Sequence, residues 1–110
     1  MEDDQLDLVF GALADRTRRA ILARLAETDS NVNDLTALFT MSQPAISKHL
    51  KVLEGAGLVS RNRQGTMRLS HLEAEPLKDA TDWLADYREY WDASYARLDT
   101  LLDSLKKETS

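Results

Sequence analysis

Between Ser42 and Lys51 the chain carries Gln43, Ser47, Lys48, His49 and Lys51, side chains that hydrogen-bond through amide, hydroxyl, ammonium or imidazole groups. Glutamine can pair bidentately with adenine and lysine can reach N7 or O6 of guanine, so Gln43, Ser47 and Lys48 are candidates for reading base edges. Further on, Arg61, Arg63 and Arg68 suit phosphates or a minor groove, with Lys51 in the same role. This is recognition chemistry. The sequence holds no glycine-rich phosphate loop, no paired nucleophile and base, and no metal cage, so the expectation is that the protein is not an enzyme.

The charge distribution favours the same reading. The chain has 110 residues and a net charge of −5, which argues against indiscriminate binding of nucleic acid. From Ser42 to His71, however, five bases face Glu54 alone, whereas from Glu73 onward ten acids face five bases. Positive charge is thus gathered in the middle of the chain, as a nucleic-acid footprint requires. No cysteine is present, which removes disulfides and thiolate metal sites and fits a cytoplasmic location. No apolar run reaches the roughly 18 residues of a membrane span, and the acidic start is no signal peptide. One domain is the expectation for this length.

The elements that must position these residues follow from periodicity and caps. Leu6, Val9, Phe10 and Leu13 share helical spacing over residues 4–14. Asp15 is placed to end that helix and cap the next, which spans about 16–27 and carries Ile21, Leu22 and Leu25 on one face. Arg16, Arg18 and Arg19 crowd the start of this second helix, where cations are disfavoured by about 0.3–1 kcal/mol each. A salt bridge to Asp15 or another acid, or a phosphate contact, would offset that.

A third helix at 32–39 and a fourth at 42–55, joined by a tight turn at Thr40 and Met41, match a helix-turn-helix. Ser42 caps the fourth helix, and its N-terminal backbone N–H groups suit a phosphate. Pro44 stands in its first turn. Ile46, Leu50 and Leu53 form its buried stripe, and Gly55 or Gly57 ends it in the left-handed region.

Leu58–Arg63 and Thr66–Leu72 read as strands around a Gln64-Gly65 turn. Arg63 then faces Thr66, Arg61 faces Arg68, and the three arginines share one face. Directly opposed like charges repel, which points to an anionic partner; Gln64 at the tip joins the candidate contacts.

The last element spans about 74–107. Leu77, Ala80, Leu84, Tyr87, Trp91, Ser94, Leu98, Leu101 and Leu105 recur in steps of three and four, a heptad seam. A continuous helix of that length would run roughly 45 Å, beyond what so small a domain can cover, and predicts a homodimer with help from Leu6 and Phe10 of the first helix. Trp83, Tyr87, Tyr90 and Trp91 could line an apolar effector pocket or serve as packing. The fold class expected is mainly α with a small β-hairpin, an α+β winged helix-turn-helix with a long C-terminal dimerisation helix.

Several stretches resemble the ArsR family of bacterial winged-helix repressors. They are Phe10–Leu22 (FGALADRTRRAIL), Ser42–Glu54 (SQPAISKHLKVLE), Ala56–Val59 (AGLV) and Arg63–Gly65 (RQG). The resemblance runs through nearly the whole chain in order, and the long tail with its two tryptophans looks like a metal-independent branch. It implies a dimeric repressor on a palindromic operator at or near its own promoter, associated with the nucleoid when bound. The helix matching 42–54 would enter the major groove and the hairpin matching 58–72 would be the wing. His49 reads as a packed flank by its spacing from Ala45 and Val52, while the resemblance brings it close to the DNA backbone; both readings stand.

Founding members of the family carry a Cys-Val-Cys metal site where this chain has Asp34-Leu-Thr-Ala-Leu38. Neither His49 nor His71 belongs to a spaced ligand set, so no metal and no cofactor are expected. The alternative from another class is a protein-interaction module acting through its acidic C-terminal helix.

Overall fold

The computed structural model describes residues 3–109, apart from the side chains of Glu89, Trp91, Glu108 and Thr109. The helices are α1 Asp3–Leu13, α2 Arg16–Glu27, α3 Val32–Leu38, α4 Gln43–Gly55, α5 Glu75–Ala85 and α6 Arg88–Thr109, with strands β1 Val59–Gln64 and β2 Met67–Leu72 between α4 and α5. The chain divides after Ala80 into two compact units.

Local chemistry sets the boundaries in the first unit. Asp15 accepts from the Arg18 backbone N–H at 3.0 Å, Asn31 from that of Asp34 at 2.8 Å and Ser42 from that of Ala45 at 3.3 Å. Each satisfies a backbone donor that the first helical turn leaves unpaired. Helix α4 closes in a Schellman motif, with Gly57 N–H on Glu54 O and Leu58 N–H on Leu53 O, both at 3.0 Å. Gly57 takes φ +78° there, so of the two glycines considered it is Gly57 that makes the turn and Gly55 that stays helical.

The core is built from every element of this unit. Val9, Ile21, Leu35, Ile46, Leu53 and Leu58 are fully buried and Leu25, Leu50 and Ala80 nearly so. Leu6, Phe10, Leu13 and Leu77 pack half-buried against them. Each fully buried aliphatic side chain is worth about 1.5–3 kcal/mol of transfer free energy, which makes this cluster the main stabilising term.

Among the described residues, the arginines at the start of α2 form no salt bridge to Asp15 or another acid; two of them reach backbone carbonyls instead. Arg18 donates from Nε to Ala12 O at 2.8 Å and from Nη2 to Gly11 O at 3.1 Å. Arg19 donates from Nη1 to Leu13 O at 2.8 Å. These carbonyls lie in the last turn of α1, at the negative pole of the helix, and that of Gly11 also accepts the Ala14 N–H at 3.3 Å. Cations misplaced for α2 are therefore well placed for α1, which has no basic residue in its own last turn. Arg16 is exposed and forms no ion pair among the described residues.

The hairpin register differs from expectation by two residues. Arg63 pairs with Arg68, Arg61 with Ser70 and Val59 with Leu72, so the turn is Gly65-Thr66 rather than Gln64-Gly65. Gly65 has φ +62° and no residue other than glycine has positive φ, the pattern of a II′ turn with glycine first. A shift of two leaves side chains on their original faces. The three arginines still share one, but the directly opposed pair is Arg63 and Arg68.

The C-terminal region is not one continuous helix. Helix α5 closes with i→i+3 bonds, Asp86 N–H to Trp83 O at 3.4 Å and Tyr87 N–H to Leu84 O at 3.0 Å, and α6 starts at Arg88. No glycine or proline marks the site. Asp86 is nonetheless poorly suited to the negative end of α5, which lacks a basic residue in its last turn, and well suited to precede α6. The heptad seam is accordingly broken: Leu77 and Ala80 belong to the first unit's core, and the 22 residues of α6 reach only about 33 Å.

Candidate nucleic-acid interface

Helix α4 presents Gln43, Pro44, Lys48 and Lys51 as exposed side chains, with its cap Ser42. On its opposite stripe Ile46, Leu50 and Leu53 are buried, so the polar face is fixed outward by the core. Helices α3 and α4 are joined through residues 39–42, and the β1–β2 hairpin follows α4 after the glycine turn.

All six residues from Arg63 to Arg68 are exposed. Lys48, Lys51, Arg63 and Arg68 make no ion pair among the described residues. They are available to an anion.

Two of the expected contacts are partly engaged elsewhere. Arg61 donates from Nε to Glu54 Oε1, which ties the wing to the end of α4. Ser47 is half-buried and lines a cleft of about 390 Å³ together with Asn31, Asn33, Arg61, Arg68 and Ser70. The sequence reading missed Asn31 and Asn33; their only signal was that asparagines flank the start of a helix preceding a polar one.

His49 is brought to the junction of helices. Its side chain is 18% exposed and Nδ1 lies 3.8 Å from Asp15 Oδ2 and 3.4 Å from Arg18 Nη1. The Arg18 backbone N–H, aided by the Arg18 guanidinium and opposed by burial, holds the Asp15 carboxyl below its usual range.

The base of the wing is anchored to the α2–α3 loop. Ser30 and Ser70 exchange backbone hydrogen bonds of 3.2 and 2.8 Å, and His71 Nδ1 sits 2.7 Å from Asp29 Oδ1. That hydrogen bond, followed by the charges of Asp29 and Glu73, raises the His71 pKa above the ordinary imidazole value. A raised folded-state pKa gives stability that is complete below the unfolded pKa and lost as pH rises through the folded one. Thermal melts from neutral to mildly alkaline pH should therefore show a small loss in the wild type that H71N does not share. Equal pH dependence in both would show that the pair contributes nothing.

Among the described residues no three His, Cys, Asp or Glu side chains gather as a metal site, and no helix is long and apolar enough to cross a membrane.

In the second unit every described side chain of α6 is exposed except half-buried Ser94. Leu98, Leu101, Leu102 and Leu105 are 46–56% exposed and Tyr95 is 62%. Of the residues expected at a dimer contact, Leu84, Tyr87, Leu98, Leu101 and Leu105 are thus uncovered, Leu6 and Phe10 are half-buried in the first unit, and the side chain of Trp91 lies outside the described residues. Leu8 on α1, also exposed, was not anticipated. Trp83 and Tyr87 stack at 5.3 Å with a 53° tilt. They line an open apolar hollow of about 710 Å³ with Leu84 and Arg88; Tyr90, expected there as well, does not line it.

Comparison with known proteins decides the family. Residues 15–61 match the bacterial regulatory proteins of the arsR family. The HTH-type transcriptional regulator Rv2034 of Mycobacterium tuberculosis is 37% identical over 103 residues, covering 94% of both chains. The chain belongs to the arsR family.

A second relative, the transcriptional repressor SdpR of Bacillus subtilis, is 35% identical over 79 residues, 72% of this chain and 88% of that one. Among solved structures, an ArsR-like transcriptional regulator from Rhodococcus sp. RHA1 superposes with TM-score 0.72 at 30% identity, over 89% of this chain and 92% of the other. A homodimeric winged helix-turn-helix DNA-binding domain from Mycobacterium bovis gives TM-score 0.61 at 25% identity, over 88% and 93%. This arsR member is accordingly a DNA-binding transcriptional regulator with a winged helix-turn-helix fold.

Proposed function

We propose that two copies of this chain form a repressor of a palindromic operator, in or near its own promoter, in the bacterial cytoplasm. Helix α4 enters the major groove, where Gln43, Ser47 and Lys48 read base edges while Ser42 and Pro44 place its first turn against a phosphate. Lys51, Arg63, Gln64 and Arg68 hold the DNA backbone. Arg61 acts through Glu54 as the strut between wing and helix, and His49 supports α4 from behind.

The observation that carries this reading is the set Lys48, Lys51, Arg63 and Arg68, exposed and in no ion pair among the described residues, together with an outward-facing Gln43. An interaction module working through its acidic C-terminal helix would leave that set unused. Repression is supported by likeness to SdpR, and pairing by the bare leucines of α6 together with likeness to the homodimeric mycobacterial domain. Two reading helices then address half-sites one helical turn apart, roughly 10–10.5 bp or a multiple.

Gln43→Ala should relax preference at particular base pairs, by about 1–3 kcal/mol there. Arg63→Ala should weaken binding to all sequences alike and reduce the slope of log K against log salt by about 0.9. Titrating both variants at fixed and varied salt, on duplexes selected by the wild type from a randomised pool, tests the assignment. If both bind as the wild type does, α4 and the wing are not the DNA-facing surface.

A further inference from the structure

We infer that Arg18, half-buried where α1, α2 and α4 meet, is a positioning residue that sets the orientation of helix α4 relative to α1 through His49. The inference rests on the DNA-reading role of α4. Three nitrogens of one guanidinium are used on two helices: Nε and Nη2 hold the α1 carbonyls of Ala12 and Gly11 at 2.8 and 3.1 Å, and Nη1 meets His49 Nδ1 at 3.4 Å. Asp15 fixes the start of α2 by accepting the Arg18 backbone N–H at 3.0 Å, so the arginine departs from a pinned point. An arginine has donors only, so Nδ1 of His49 must be the acceptor and Nε2 carries the proton.

Apart from the Arg61–Glu54 pair at its C-terminal end and Asp15 at 3.8 Å from His49 Nδ1, α4 is held among the described residues by apolar packing, which is non-directional. Helix α4 could turn about its own axis with little loss of buried area. Side chains on a helix surface lie about 5–6 Å from the axis, so a turn of some 10° displaces them by about 1 Å. That is enough to spoil the narrow distance range of a base hydrogen bond. His49 directly follows Lys48 and lies two residues after Ser47, so a directional bond at His49 fixes the rotation where base reading occurs. Lysine cannot substitute, because one ammonium cannot span acceptors placed as a planar fork.

The test uses the full-length protein and the duplex selected by the wild type from a randomised pool, at a temperature well below each melting midpoint. R18K, which keeps the charge, should bind about tenfold more weakly with an unchanged salt slope. H49F should do the same, and R18K/H49F should be no worse than either single variant, as expected of partners in one interaction. H49N, whose amide oxygen can replace Nδ1 as acceptor, should remain within about threefold of the wild type on the same reasoning. Wild-type affinity in R18K overturns the inference. So do additive losses in the double variant, and a slope reduced by about 0.9 would make Arg18 a phosphate contact instead. Should R18K fail to fold, H49F and H49N decide: equal affinities overturn it. A wild type that selects no duplex would remove the DNA reading, and this assignment with it.

Discussion

Leu98→Glu together with Leu101→Glu should yield a monomer whose operator affinity is lower by about 10²–10⁴-fold. The two leucines are 50% and 56% exposed on α6, one turn apart on one face. Covered by a second copy, each would contribute a large part of the roughly 1.5–3 kcal/mol of a buried leucine. In a two-fold interface each glutamate also approaches its own symmetry mate, so like charges meet. A monomer reaches only one half-site and loses the effective concentration that links the two heads, which sets the size of the effect. The core residues of the first unit are not among those changed, so its thermal midpoint should move little. Sedimentation equilibrium and DNA titration on the same samples give the answer. A double variant that still sediments as a dimer would rule out this face as the contact.

Leu53→Ala should lower stability by about 2–5 kcal/mol, whereas the neighbouring Val52→Ala should stay within about 0.5 kcal/mol. Leu53 is fully buried and Val52 is 44% exposed. Leu53 also accepts the Leu58 N–H that closes α4 at 3.0 Å, and the two side chains are buried together there. A cavity at this point loosens the helix end, the glycine turn and the first residue leading into the wing. Against a total of about 5–15 kcal/mol for a domain of this size, the loss is large. Urea melts with equal m-values would measure it. If both variants melted alike, the buried stripe assigned to α4 would be misplaced.

These expectations draw on parts of the chain that were unequally legible. The caps at Asp15 and Ser42, the buried stripe Ile46, Leu50 and Leu53 and the basic middle of the chain all emerge from spacing alone. Each depends on residues within a few positions of one another, and helix geometry converts such spacing directly into faces and ends. The alternation of β1 and β2 was equally plain, so the arginine face survived an error in the turn. The turn itself was not plain. Gln64-Gly65 and Gly65-Thr66 both place a glycine in a two-residue loop, and the choice between them lies in the conformation of Gly65 and the pairing of the whole ladder, anchored beyond it by Ser30 on Ser70.

What the amino-acid sequence by itself determined was a capped helix with a polar face, a glycine stop and a basic hairpin, in that order. Only the tertiary structure decided the partners of the long polar side chains. Arg18 and Arg19 are committed to α1 carbonyls, Arg61 to Glu54, His71 to Asp29 and His49 to Arg18, and none of these pairings has a periodic signature. An arginine side chain can reach acceptors on several neighbouring elements, and which of them it meets depends on how helices that share no local spacing are packed. The same holds for the break at Asp86, where no glycine or proline announces the end of α5. Heptad spacing continued through it in the sequence, but Leu77 and Ala80 pack into the first unit's core, while Leu84 before the break and Leu98, Leu101 and Leu105 after it are exposed.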